Sequence, residues 1–298
     1  MARRRSAPRG SGPARVALVT DSTSSLPCSW VTEHDVTVVP LQVVIGGTAH
    51  DEGVPGGITA EAIADALKAW TPVSTSRPNP EAFLGIYESL AEHCDEIVSI
   101  HISGELSGTV HSARMAAGKA PVPVHVVDSR QVGMGTGFTV MAAEQARAGG
   151  LDGEAIAAAA LAQGTCSTTL LYVDTLEYLR RGGRVGATAA LLGSALAVKP
   201  ILAIDDGRIT PRERVRTATK ALGRLQELAI AAAADRPVRV AVAHLANIDK
   251  ANHLAAGLAA ALGDSMIGEA AVGEIGAVLG AHVGPGMVAV CIAPATET

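Results

Sequence analysis

Four times within the first 150 residues, a short apolar run empties into a polar or glycine-bearing turn, and a helical pattern follows. The runs lie over 15–20, 36–45, 96–102 and 122–127; a helical segment follows the polar turn over 21–27, and the later helices lie over 59–69, 110–118 and 138–147. Pro40 splits the second run into one or two strands, since proline cannot donate to a strand ladder. Regular strand–loop–helix alternation constrains a chain to an α/β layer architecture. It predicts a mostly parallel sheet with its polar loops gathered at one end, where open sheets of this kind collect ligands.

One loop stands out. Residues 72–80 read Pro-Val-Ser-Thr-Ser-Arg-Pro-Asn-Pro, and 81–90 then carry the apolar spacing of an amphipathic helix. The prolines argue against an ordinary strand here, which leaves the hydroxyls of Ser74, Thr75 and Ser76 free for other partners. Hydroxyls beside a helix N-terminus suit an anion, while Ser76 or Asn79 equally serves as a plain cap. A second loop, Ser103-Gly-Glu-Leu-Ser-Gly-Thr109, repeats the theme: a strand opens into serines and glycines before a helix. Its two Ser-Gly pairs let backbone amides approach a ligand closely. Asp21, Ser22 and Thr23 end the first strand, and they read as ligand groups or as caps with equal weight.

At 298 residues the chain is long for one core, which predicts two domains. We place a disordered tail over 1–14, an N-terminal α/β domain over 15–164 and a C-terminal α/β domain over 165–298. The second half alternates hairpins with helices, so its sheet is expected to be mixed; Asp206-Gly207 is the clearest hairpin turn. The apolar run over 187–198 is too short for a membrane span and reads as a buried helix.

A formal charge of -5 and an aromatic content of 2% exclude a general nucleic-acid binder, which needs cations for phosphates or rings for stacked bases. Cys28, Cys94, Cys166 and Cys291 are scattered without metal-ligand spacing, as expected of reduced thiols in the cytoplasm, and no metal site is expected. The arginine-rich start lacks the apolar stretch of a secretory signal. There is no phosphate loop ending in Gly-Lys-Ser/Thr, no Gly-x-Ser-x-Gly elbow and no two-histidine zinc helix, and Gly133-Met-Gly-Thr-Gly137 has the wrong spacing for a dinucleotide. No cofactor is therefore expected. What remains is Arg184 after Gly182-Gly183, whose fork of donors suits a carboxylate or phosphate. His282 lies among glycines and small apolar residues, and it suits an anion or a proton transfer. Each also has a bland reading, as a helix-end arginine and as a hydrogen-bonded structural histidine.

Segments 19–23 (Val-Thr-Asp-Ser-Thr), 74–80, 103–109, 127–129 (Val-Asp-Ser), 176–184 (Leu-Glu-Tyr-Leu-Arg-Arg-Gly-Gly-Arg), 199–201 (Lys-Pro-Ile) and 275–286 resemble the DegV family in order and spacing. The likeness runs from about Val16 to near the C-terminus. It implies a two-domain α/β protein binding one long-chain fatty acid between its domains. It also implies a non-enzymatic role as the binding subunit of a fatty acid kinase, in which a separate ATP-dependent partner phosphorylates the carboxyl group for phospholipid synthesis. Peripheral membrane contact fits that role.

Carried onto this chain, the family's carboxylate-holding residues fall on Thr75, Ser107, Arg184 and His282, with Ser76 and Gly108 as further candidates. A carboxylate in an apolar tunnel needs such donors, because burying the charge unpaired is prohibitive. The chain departs from the family pattern at Arg77 and Asn79, where glutamine and serine are usual, and at Glu105, where glycine is usual. Glu105 is expected to face solvent, since an inward carboxylate would repel a fatty acid. The competing reading is a stand-alone enzyme acting on a small phosphorylated substrate through His282 or Asp21, because the family's N-terminal fold resembles that of dihydroxyacetone kinase subunits. A lipid-binding regulator without a kinase is the third.

Overall fold

The computed structural model describes residues 14–191 and 199–295. Most of the arginine-rich start and the end of the 187–198 run lie outside them; the described part of that run continues a 3-10 turn over Gly186–Leu191.

The N-terminal sheet holds β1 (Val16–Asp21), β2 (Val36–Val39), β6 (Glu96–His101) and β7 (Val124–Asp128), all parallel in the order β2-β1-β6-β7. Parallel strands covered on both faces read as continuous apolar runs. Successive residues here part company accordingly. Leu18, Val98 and Val127 pack under α5 (Met134–Ala148) and α6 (Gly153–Cys166), through Val140, Ala143, Ile156 and Ala160. Val19 and Ile97 face the opposite way, onto Phe83 and Tyr87 of α3 (Pro80–Ala91) and Ala113 and Ala116 of α4 (Thr109–Ala117).

Pro40 marks a change of sheet rather than a kink. After β2 the chain enters a separate antiparallel sheet of β3 (Gln42–Ile45), β4 (Thr48–Asp51) and β5 (Val73–Ser76), in the order β4-β3-β5, with α2 (Ala60–Lys68) between β4 and β5. Two expectations are corrected here. The turn after Gly47 contains a strand, β4. Residues 73–76 also pair as a strand, with Val43 opposite Thr75 and Gln42 opposite Ser76. Proline restricts the residue before it, so Pro78 and Pro80 constrain Arg77 and Asn79 and leave 73–76 free to pair at a sheet edge. Asn79 caps α3, its Oδ1 accepting from the Glu81 amide at 3.1 Å.

The second half forms a six-stranded mixed sheet from β8 (Thr168–Tyr172), β9 (Lys199–Asp205), β10 (Arg208–Val215), β11 (Val238–His244), β12 (Ala271–Glu274) and β13 (Val288–Pro294), in the order β10-β9-β8-β13-β11-β12. Only β11 and β12 run parallel, and Asp206-Gly207 makes the tight turn between β9 and β10. One face packs on α8 (Ala218–Ala233) and α9 (Ile248–Leu262) through Leu225, Ala229, Leu254 and Leu258. The other face, with Leu171, Leu202 and Ile204, meets Leu41, Val43, Ile63 and Leu67 from the small antiparallel sheet and α2, together with Leu179 of α7 (Glu177–Arg181) and Val278 of α10 (Ala277–Val283). The segment carrying β3 to β5 is thus early in sequence but packs on late residues.

Glu52 joins these parts. It is buried, and its Oε1 accepts from the Val278 amide at 2.8 Å while Oε2 accepts from the Ser22 hydroxyl at 2.5 Å. The first turn of α10 has no side-chain cap of its own, so a carboxylate 226 positions away supplies it. Burial raises the Glu52 pKa above its usual 4.5, with nearby Asp21 adding to the rise and the hydrogen bonds from Ser22 and Val278 opposing it. A raised carboxyl pKa means that the folded state holds the proton more tightly than the unfolded one. The stability from this source is complete below about pH 4.5 and falls as pH climbs through the folded value. Denaturant melts of Glu52→Gln, which keeps an acceptor for Val278, should therefore improve relative to wild type between pH 4.5 and 7. Glu52→Ala should lose about 1–3 kcal/mol by orphaning that amide.

Candidate functional site

A cavity of about 500 Å³ lies where the parallel sheet's loops, the small antiparallel sheet and the inner face of the mixed sheet meet. Its apolar walls include Leu41, Leu171, Leu179, Ile204, Ile209 and Val278. The volume falls in the usual range for sites that enclose a small organic ligand. Thr75, Ser107, Arg184 and His282 all line it, and so do Ser76 and Gly108. Four separate chain segments deliver these polar groups.

Thr75 sits on edge strand β5, and its Oγ1 lies 2.9 Å from Nε2 of His282 on α10. His282 Nδ1 is buried and has no partner among the described residues. That nitrogen faces the backbone of Gly182, where an added Cβ would come within 2.1 Å of it, so only glycine permits the approach. Burial, and secondarily the neighbouring Arg184 charge, push the His282 pKa down to about 4. The ring is therefore neutral near pH 7. A proton on Nδ1 would bury an N–H with nothing to accept it, so the ring carries its hydrogen on Nε2 and donates to Thr75 Oγ1. The threonine hydroxyl hydrogen is then free to turn into the cavity.

Arg184 follows α7. Its Nε donates to the Leu106 carbonyl at 3.2 Å and its Nη1 to the Gly182 carbonyl. It has no carboxylate partner among the described residues. The helix-end reading of this arginine is thus half right: one donor turns back to Gly182, and another reaches across to the loop that carries Ser107. In that loop the Ser107 amide donates to the Ser103 carbonyl at 3.0 Å, and the Ser103 hydroxyl donates to the Gly207 carbonyl at 2.7 Å. The serine is therefore braced against the β9–β10 turn. Ser107 Oγ is 2.8 Å from Thr109 Oγ1 and also accepts from the Thr109 amide at 3.3 Å. Leu106 and Glu52 are positioning groups that sequence reasoning missed. Leu106 acts through its carbonyl, which no side-chain pattern reports.

Glu105 points outward, where its Oε2 accepts from Arg208 Nε at 2.8 Å and its side chain is 42% exposed. Arg77 reaches the cavity edge, and no Asp or Glu lines the cavity among the described residues. Asp21, the other group named for an enzymatic reading, is fully buried away from the cavity. Its Oδ2 accepts from the Ile102 amide at 3.1 Å and lies 2.9 Å from His101 Nδ1, while His101 Nε2 is 2.7 Å from Ser99 Oγ. This Ser–His–Asp chain has the spacing of a nucleophilic triad. All three side chains are at 0% exposure, with the Tyr87 hydroxyl on Ser99 at 2.8 Å, so no substrate reaches the serine. The chain ties β1 to β6 and fixes Ile102, from which the 103–108 loop departs.

A family model for DegV proteins matches residues 15–295. The chain is 51% identical over 282 residues to the DegV domain-containing protein SCO2569 of Streptomyces coelicolor, spanning 93% of this chain and 98% of that one. It is 32% identical over 280 residues to Protein DegV of Bacillus subtilis, spanning 93% of this chain and 98% of that one. Among solved structures, a fatty-acid-binding DegV family protein from Thermus thermophilus superimposes with a TM-score of 0.88 at 34% identity, covering 94% of this chain and all 100% of that one. DegV of Bacillus subtilis, described as a fatty acid binding protein, gives 0.86 at 30% identity, covering 95% and 100%. The two-domain α/β fold expected from the sequence is that of these neighbours. The chain belongs to the DegV family.

Proposed function

We propose that this protein binds one long-chain fatty acid, with the carboxylate held by Thr75, Ser107, Arg184 and His282 and the chain in the apolar cavity. The observation that carries this reading is the convergence of those four groups on a cavity otherwise walled by leucine, isoleucine and valine. The neutral His282 sends its hydrogen to Thr75, which leaves the Thr75 hydroxyl to donate to the carboxylate, and Arg184 supplies the compensating charge. Charge-assisted hydrogen bonds of this kind are about twice as strong as neutral ones. Each methylene buried adds about 0.8 kcal/mol. Ser76 and Gly108 complete the rim of the same cavity. The fatty-acid-binding relatives from Thermus thermophilus and Bacillus subtilis support the ligand class.

We further infer that the protein is an accessory subunit in the cytoplasm, presenting the carboxylate to an ATP-dependent kinase that makes the acyl phosphate. Ser107 and Gly108 line both the cavity and an outer groove, so the headgroup is one wall away from a docked partner. Among the described residues no helix is long and apolar enough to cross a membrane.

Displacement of a fluorescent fatty acid tests the cradle. Thr75→Ala and Ser107→Ala should each weaken binding about tenfold, the scale of a lost hydrogen bond to a charge. A double variant that binds like wild type contradicts the assignment. His282 offers a second check by NMR titration. In the empty protein its ring should titrate near pH 4, and a bound carboxylate should raise that value by stabilising the imidazolium. An unmoved titration on saturation with fatty acid would separate the carboxylate from His282.

A further inference from the structure

The end of α2 is built against the preference of its own backbone. The Trp70 amide donates to the Leu67 carbonyl at 3.2 Å and the Thr71 amide to the Ala66 carbonyl at 2.9 Å, the paired bonds that close a helix through one residue in the left-handed region. Glycine usually holds that position, because a β-carbon crowds the backbone there. Here the residue is Trp70, at φ +59°. Its burial does not explain the choice, since Trp70 is 68% exposed and hides little apolar surface.

What the ring does meet is a cation. The guanidinium carbon of Arg181 lies 4.2 Å from the ring centroid, a cation–π contact between the end of α2 and α7. Glu177 steadies the cation, its Oε1 accepting from Arg181 Nε at 2.8 Å. Backbone strain of the kind seen at Trp70 persists where surrounding contacts over-determine it, and it gathers at functional sites.

Both partners lead directly into the polar end of the cavity. Thr71 and Pro72 separate Trp70 from β5, which carries Thr75 and Ser76. Arg181 ends α7 and is followed by Gly182, Gly183 and Arg184. Between these segments lies α10, which packs on both α2 and α7 and carries His282. On the cavity side the two segments meet through that histidine, which is bonded to Thr75 and laid against Gly182. They meet a second time through Trp70 and Arg181, neither of which lines the cavity.

Resting on the fatty-acid reading of the cavity, we propose that the Trp70–Arg181 stack is a positioning contact for ligand binding: it sets the separation of the Thr75 and Arg184 segments, so that hydroxyl and guanidinium reach one carboxylate together. Converging donors hold a small anion only when their spacing is kept to about 0.5 Å. Two attachments between the segments, one through His282 and one through the stack, fix both their distance and their relative tilt, which one attachment alone leaves free. The strained tryptophan is retained because glycine at the same position would end α2 equally well and hold nothing.

Trp70→Gly separates positioning from folding, because the two predict opposite signs. Glycine relieves the left-handed strain while it removes the ring, so the melting temperature should hold or rise. Affinity for hexadecanoate, measured by calorimetric titration, should nevertheless fall about threefold to fivefold, the scale of an exposed cation–π contact. Trp70→Phe keeps a ring over the guanidinium and should return the affinity to within about twofold of wild type. Arg181→Met keeps the stem without the charge and should match Trp70→Gly, and the double variant should lose no more than either alone. Trp70→Gly protein that binds as tightly as wild type overturns the inference, and so do additive losses in the double variant. A melting temperature that falls in step with affinity makes the stack an ordinary contact of the fold, which overturns it too. In each of these cases the fatty-acid reading stands, whereas wild-type protein that takes no hexadecanoate overturns both.

Discussion

Arg184 is a cation set beside an apolar cavity and anchored by backbone carbonyls instead of a carboxylate. That condition shapes much of the surrounding structure. A partly buried charge without a counter-ion is costly unless something satisfies it, and here the Leu106 and Gly182 carbonyls hold the guanidinium in place without neutralising it. The same arrangement forces a glycine at 182, so that the backbone can lie against His282. Burial, and after it the Arg184 charge, depresses the His282 pKa, so the ring adds a neutral donor to the cavity and no second positive charge at its inner wall. A cation, a neutral imidazole and two hydroxyls in one apolar space are the groups by which we propose that an anion with a long apolar tail is held.

The fold brings these groups together by breaking sequence order. Thr75 reaches the mixed sheet only because β3, β4, β5 and α2 leave the parallel sheet at Pro40 and pack on its inner face. Glu52 then fastens α10, and with it His282, to that early segment. The parallel sheet contributes through its carboxyl-end loop, braced at Ser103 by the β9–β10 turn. Each side chain of the cavity is therefore set by packing between segments far apart in the chain. A change in Glu52 would be felt at His282 although it touches no ligand.

The strand–loop–helix alternation made the parallel sheet legible, because its strands are covered on both faces and read as unbroken apolar runs. The Asp206-Gly207 turn was legible for similarly local reasons, and so was the Asn79 cap, one of the two residues read as candidates for it. The pairing of 73–76 was not, since proline's effect stops one residue upstream and an edge strand needs only a partner, which here comes from Gln42–Ile45. The polar residues at the cavity were legible through their motifs. Arg77 was visible as a departure from the family pattern, but its place at the cavity edge appears only in three dimensions. Asp21 read equally as a ligand group or a cap, and burial decides it: it holds Ile102 and Thr23 in place.

The most direct test of the central claim is native mass spectrometry of the purified protein, with lipid analysis of whatever denaturation releases. A single fatty acid bound one to one, with its mass matching the native excess, is the result that a carboxylate cradle and an apolar cavity require. Protein that is empty as purified, and that stays empty when offered long-chain fatty acids, would contradict it.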